Sequence, residues 1–287
     1  MTRSVILPLI GTVAAWRSEA RRLLRAGIPA EDLLWRVEGS VAAPDLFAGQ
    51  DGAVPETPGP SIRMPKTVLH SLETALHHRD PERFARAYDL VLRLSRASLR
   101  WGDRADPAML KLLEQEKAVR RDQHKMHAFV RFREIGDPTA PRRAFAAWFE
   151  PDHPITELAA PFFARRFGDM DWIIATPHLT ARCLSGMLAF EPTNPTFRPP
   201  PDDTEALWRT YFASIFNPAR LMVSAMMGQM PRKYWKNLPE TQLIPELIRS
   251  APARARAMQE AAPTLPPAHV DRLKAKRAKQ SRQEPPS

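Results

Sequence analysis

Two hydrophobic periods alternate along the chain, and the changes between them mark its elements. Over residues 12–25, Ala15, Trp16, Leu23 and Leu24 fall on one side of a 3.6-residue period. Arg17, Arg21, Arg22 and Arg25 fall on the other, which predicts an amphipathic helix ended by Gly27. Residues 5–9 read as a short strand before it, and 31–37 as a short helix or strand after it. Another helix is predicted over 65–78, beyond an irregular connection rich in proline and glycine. Asp80 followed by Pro81 supplies a cap and a first-turn proline for the next helix, whose inward stripe is Phe84, Tyr88, Val91 and Leu94 or Leu92.

The helical period continues through Met109, Leu112, Leu113, Val119 and Met126. From His127 the period becomes two, with Ala128, Val130 and Phe132 opposed to His127, Phe129, Arg131 and Arg133. This predicts a strand over 129–134. Further strands are predicted over 144–149 and 172–176, separated by a helix over 155–167 that carries Leu158, Phe162, Phe163 and Phe167. A hairpin is expected to turn at Ser185-Gly186. The expected fold is α+β: a small antiparallel sheet in β-β-α-β-β order, flanked by N-terminal and C-terminal helices. Trp148 and Trp172 are expected to share one core with Phe162. A proline-rich link at 193–201 precedes helices from Asp202 or Asp203 and from Asn217-Pro218, and a last helix over 243–258. The group Met222, Met226, Met227 and Met230 reads as adaptable core. One domain is expected over 1–262, with its β part at about 127–192, and a basic disordered tail over 263–287.

Composition narrows the classes. The 287 residues are 44% hydrophobic and 26% charged, ordinary for a globular protein, and the formal net charge of +10 favours acidic partners, nucleic acid among them. The single cysteine, Cys183, excludes an intramolecular disulfide and a cysteine-ligated zinc or iron–sulfur centre within this chain, and is expected to be buried in a strand. The apolar run at 5–10 is short for a signal peptide, and no run approaches a membrane span, so the expected location is cytoplasmic. P-loop, Rossmann, nucleophile-elbow, zinc-deaminase, helix-turn-helix and zinc-finger patterns are absent, and neither a cofactor nor a metal is expected.

Two stretches carry candidate chemistry. Lys117, Arg120, Arg121, His124, Lys125, Arg131 and Arg133 concentrate positive charge, the residue types that displace counterions from a phosphate backbone. Arg232, Lys233, Tyr234, Trp235, Lys236 and Asn237 interleave basic and aromatic side chains, the pairing that holds single-stranded nucleic acid. The two are expected to share one positive surface. An alternative is catalysis on DNA or nucleotides by His124 and His127, three residues apart, with Glu150 or Asp152 from the Phe-Glu-Pro-Asp-His stretch at 149–153. A third reading is a scaffold whose basic face holds an acidic protein.

The stretch KAVRRDQHKMHAFVRFRE at 117–134 resembles the core of a bacterial family of DNA metabolism proteins that carries domain of unknown function 4130. FEPDH at 149–153, WRTYFASIFNPARL at 208–221 and MPRKYWKNLPE at 230–240 extend the resemblance over nearly all of the chain up to about Met258. It implies a role in DNA repair or metabolism beside a radical SAM protein, or beside an X-type uracil-DNA glycosylase, to which similar domains are fused. No glycosylase sequence follows here, so uracil excision is not carried over.

Overall fold

The computed structural model describes residues 3–39, 63–137, 139–194, 196–197, 210, 213, 216–217 and 222–260. Residues 42–62 of the expected connection at 42–65, most of the helix from Asp202 or Asp203, the helix expected from Asn217-Pro218 as far as residue 221, and the basic tail lie outside them. The protein is α+β, and its chain divides into two compact units: residues 1–207 with 232–239, and residues 208–231 with 240–287.

In the first unit, β1 (Arg3–Leu7) and β2 (Leu33–Val37) pair in parallel, joined across one edge by α1 (Thr12–Arg25). α2 (Lys66–Ala75), α3 (Arg83–Ser95) and α4 (Pro107–Phe129) complete this part. The side chains of Leu7, Trp16, Leu23, Trp35, Leu72, Phe84, Tyr88, Met109 and Leu112 form one buried cluster. Two of its polar tips are satisfied: the Trp16 indole N–H donates to the Phe84 carbonyl at 3.2 Å, and the Tyr88 hydroxyl to the Ile28 carbonyl at 2.7 Å, whereas the buried Trp35 indole N–H has no partner among the described residues. α3 starts later than the Asp80-Pro81 signal predicts. Asp80 accepts the Glu82 N–H at 3.0 Å in a turn of its own, and Pro81 stands before the helix.

The second part is a five-stranded sheet in the order β3 (Arg133–Ile135), β4 (Ala144–Trp148), β5 (Asp171–Ala175), β6 (Leu179–Leu184), β7 (Met187–Pro192). The expected antiparallel sheet is corrected at its centre: β4 and β5 run parallel because α5 (Thr156–Arg166) returns the chain to the end where β4 began. The other pairs are antiparallel. Ser185 and Gly186 have φ of 51° and 80°, the left-handed pair that a two-residue hairpin turn requires, and Cys183 is buried in β6.

The expected strand over 129–134 is also corrected. α4 continues through His127 and Phe129, and β3 keeps only three residues. Met126 and Val130 are buried four residues apart, so the same positions that alternate in a strand also satisfy a helical stripe. Register corrects the tryptophans as well. Phe145 pairs with Trp172 and Trp148 with Ala175, so the two tryptophans lie on opposite faces of the sheet. Trp172 meets Phe163 at 6.2 Å and Phe132 at 6.1 Å. Phe162 turns away and stacks on His127 at 4.1 Å. Trp148 is half-buried and donates its indole N–H to Glu150 at 2.9 Å.

The second unit contributes a helix at Val223–Gln229 and another at Ile244–Glu260, whose buried residues Ile244, Leu247 and Ala251 mark its inward side. Of the methionine group, Met226, Met227 and Met230 are half-buried and Met222 is exposed. No helix among the described residues is long and apolar enough to cross a membrane.

Candidate functional site

α4 is the spine of the site. Asp106 caps it by accepting the Met109 N–H at 2.9 Å, Pro107 occupies its first turn, and Arg93 of α3 pairs with the same Asp106 carboxylate. Its inward stripe is Met109, Leu112, Gln115, Val119, Asp122 and Met126. Two members are polar, and each reaches a loop. Gln115 donates to Asp80 at 2.8 Å, and Asp80 is also paired with Arg86 at 2.9 Å. Asp122, only 4% exposed, accepts the His153 N–H at 2.9 Å and the Tyr234 hydroxyl at 3.2 Å.

A buried carboxylate costs free energy unless it is well hydrogen-bonded, so these two donors fix where the 149–153 loop and the 232–237 turn meet the helix. Burial pushes the Asp122 carboxyl above its ordinary range, and the two donors pull against that shift. Burial, followed by the nearby carboxylates of Asp122 and Asp152, pushes the Tyr234 phenol up, so it remains a donor at neutral pH. The Tyr234 ring stacks on Phe149 at 5.1 Å and meets Phe129 at 5.5 Å. Lys233 pairs with Asp152, and its ammonium lies 4.5 Å from the Tyr234 ring.

Beside this node the rings of His78 and His153 approach to 4.3 Å. Nδ1 of His153 accepts the Arg79 N–H at 3.3 Å, and Nδ1 of His78 accepts the Asp80 N–H at 3.0 Å. Each neutral ring therefore carries its proton on Nε2. Burial first, and then the charge of His78, hold His153 down to about 4; burial lowers His78 too. Nothing in the sequence singled out His78. The better signal was Asp122, a charged residue at an inward position between Val119 and Met126.

The basic candidates separate by their surroundings. Lys117, Arg121 and His124 project from the exposed side of α4 at helical spacing, and Lys117 and Arg121 have no partner among the described residues. Arg120 is exposed but paired with Glu116 at 2.7 Å. Lys125 lies 5.6 Å from the Phe129 ring. Arg131 stands beyond the helix instead of on a strand, and donates to the carbonyls of Ala128 and Val130 at 2.9 and 3.3 Å, closing the end of α4. Arg133 lies half-buried on β3. Tyr234 is 2% exposed, which withdraws it as a stacking platform for bases. Trp235 is half-buried, with the Arg232 guanidinium 5.7 Å from its ring. The Lys236 and Asn237 side chains lie outside what is described.

The proposed histidine–carboxylate set takes up separate tasks. His127 stacks on Phe162 and its Nε2 lies 3.3 Å from the Ala159 carbonyl, an acceptor that the ring N–H serves. Burial lowers its pKa, with neighbouring His124 adding to the effect. Glu150 accepts from Trp148, and Asp152 holds Lys233. Among the described residues no three His, Cys, Asp or Glu side chains gather as a metal site.

The class defined here is an α+β protein whose helix α4 anchors two loops through one buried carboxylate. The chain belongs to the family defined by a domain of unknown function, DUF4130, whose model matches residues 81–240, more than half of its length. No curated protein and no solved structure matches it.

Proposed function

We propose that this protein contacts nucleic acid through the exposed side of α4 and the adjoining 232–235 segment, and that it acts in DNA repair or metabolism. The carrying observation is the pair Lys117 and Arg121, one helical turn apart, exposed and unpartnered among the described residues on a helix held firmly from its other side. The Asp122–Tyr234 hydrogen bond supports the reading, since it ties the turn bearing Arg232 and Trp235 to the same helix. Charge on α4 sets affinity for any sequence, and the Trp235 ring adds preference for unpaired bases. Work beside a radical SAM protein or a uracil-DNA glycosylase belongs to the same proposal.

Fluorescent single- and double-stranded oligonucleotides titrated across salt concentrations test it. Lys117→Ala with Arg121→Ala should weaken binding to both and flatten the log–log salt slope by roughly one to two, because each lost phosphate contact removes about 0.7–0.9. Trp235→Ala should weaken single-strand binding by about 1–3 kcal/mol. Wild-type affinity no greater than that of an unrelated protein of equal charge sinks the proposal and puts the acidic-protein scaffold ahead.

A further inference from the structure

Away from the α4 surface, the first unit contains a cavity of about 350 Å³ bounded by the end of β1, the 76–83 turn, the start of α5 and the β5–β6 turn. Arg83 lines it. The Arg83 Nε donates to the Leu76 carbonyl at 2.7 Å and Nη1 to the Asp80 carbonyl at 2.9 Å, and Phe84 backs the guanidinium at 4.0 Å. Both acceptors are neutral. The nearby Asp80 carboxylate is engaged by Arg86, Gln115 and the Glu82 N–H and offsets the charge of Arg83 only from a distance, and Arg83 forms no ion pair among the described residues. Nη2 has no protein partner among the described residues.

Three further polar groups border the cavity. Arg79 stands exposed at its rim. The His178 side chain has no hydrogen-bond partner among the described residues, and burial, with Arg83 adding to it, keeps the ring neutral. Glu157 uses Oε1 to accept the Gly11 N–H at 2.8 Å and leaves Oε2 available. Leu9, Val37 and Leu179 supply apolar wall. A volume of this size with a few convergent polar groups and an apolar lining is what a small-molecule site requires. Two guanidiniums and an imidazole N–H offer donors to three terminal oxygens, which a phosphate monoester has and a carboxylate lacks.

We infer that this cavity binds a small phosphate monoester, its phosphoryl oxygens held by Arg83, Arg79 and His178 and its organic part against the apolar wall. The site is separate from the oligonucleotide surface and does not depend on it.

Phenyl phosphate is the probe, titrated into the full chain while the histidine ring protons are followed by NMR, with His178→Asn assigning the His178 signal. A saturable shift of that signal at low millimolar probe is expected. Arg79→Ala should weaken binding about tenfold, the worth of a charge-assisted hydrogen bond, and benzoate should bind more weakly still. Lys117→Ala with Arg121→Ala should leave this titration unchanged, which keeps it distinct from the oligonucleotide test. Arg83→Lys, if folded, should lose binding as well; if it unfolds, Arg79→Ala decides. No saturable shift, an Arg79→Ala titration equal to wild type, or benzoate equal to phenyl phosphate overturns the inference.

Discussion

Asp122 sets the terms at the residue scale. It occupies a helix position that an apolar side chain would normally fill, yet it receives two donors from segments remote in sequence. Truncation to alanine leaves the His153 N–H and the Tyr234 hydroxyl without their acceptor, and should cost about 2–5 kcal/mol by urea melting, since each unsatisfied buried donor costs roughly 1–3 kcal/mol. Asparagine behaves differently. It retains one carbonyl oxygen, the Tyr234 hydroxyl can rotate to accept its amide, and no buried charge remains. A carboxyl whose folded pKa is raised contributes stability below its unfolded pKa, and that contribution is lost as pH rises through the folded value. Asp122→Asn should therefore lie within about 1 kcal/mol of wild type at pH 7. An asparagine variant as unstable as the alanine variant would mean that the negative charge itself holds the loops.

At the scale of elements, the sheet discriminates between two tryptophans that look alike in sequence. Trp172 faces α5 and is 1% exposed, whereas Trp148 is half-buried on the other face. Trp172→Ala should cost about 3–5 kcal/mol and Trp148→Ala less than half as much, read from paired denaturant melts. Equal losses would contradict the register. Helix α1, the hairpin and the α+β class were legible because each has a strong local signal: one-sided arginines, Ser-Gly at a turn, alternating strands. The parallel β4–β5 pair was not legible from periodicity, since a strand pattern is the same in either direction; the intervening helix was the available clue. The end of α4 was misread because Met126 and Val130 fit both periods. The basic half of the site was visible as charge, but the burial of Tyr234 and the convergence of His78 with His153 depend on contacts between loops far apart in the chain.

On the scale of the whole molecule, several imidazoles are held neutral in the first unit. Burial brings His77 and His153 down to about 4 and lowers His78, His127 and His178 as well. Unfolded imidazoles bind protons near 6.5, so the unfolded chain takes up more protons than the native one between those limits. The stabilisation is complete above about pH 6.5 and is lost as pH falls toward 4. Each unit of depression at the well-buried His77 is worth about 1.4 kcal/mol, and the partly solvated rings contribute less, so urea midpoints should fall progressively from pH 7 through 5.5 to 4. His77→Asn, with an amide N–H placed to reach the Pro154 carbonyl that Nδ1 now faces at 3.0 Å, should flatten the profile. A midpoint constant from pH 7 to 5 would contradict the burial of these rings.

The link from Asp122 to Tyr234 spans 112 positions, and the second unit begins within that interval. During synthesis, α4 leaves the ribosome well before its hydroxyl donor has been translated. At roughly 5–20 residues per second the delay is about 6–22 s, far longer than a helix needs to form. Through that time water takes the place of the missing hydroxyl donor at the Asp122 carboxylate, and this side of α4 is dehydrated and closed only when the Tyr234 turn arrives.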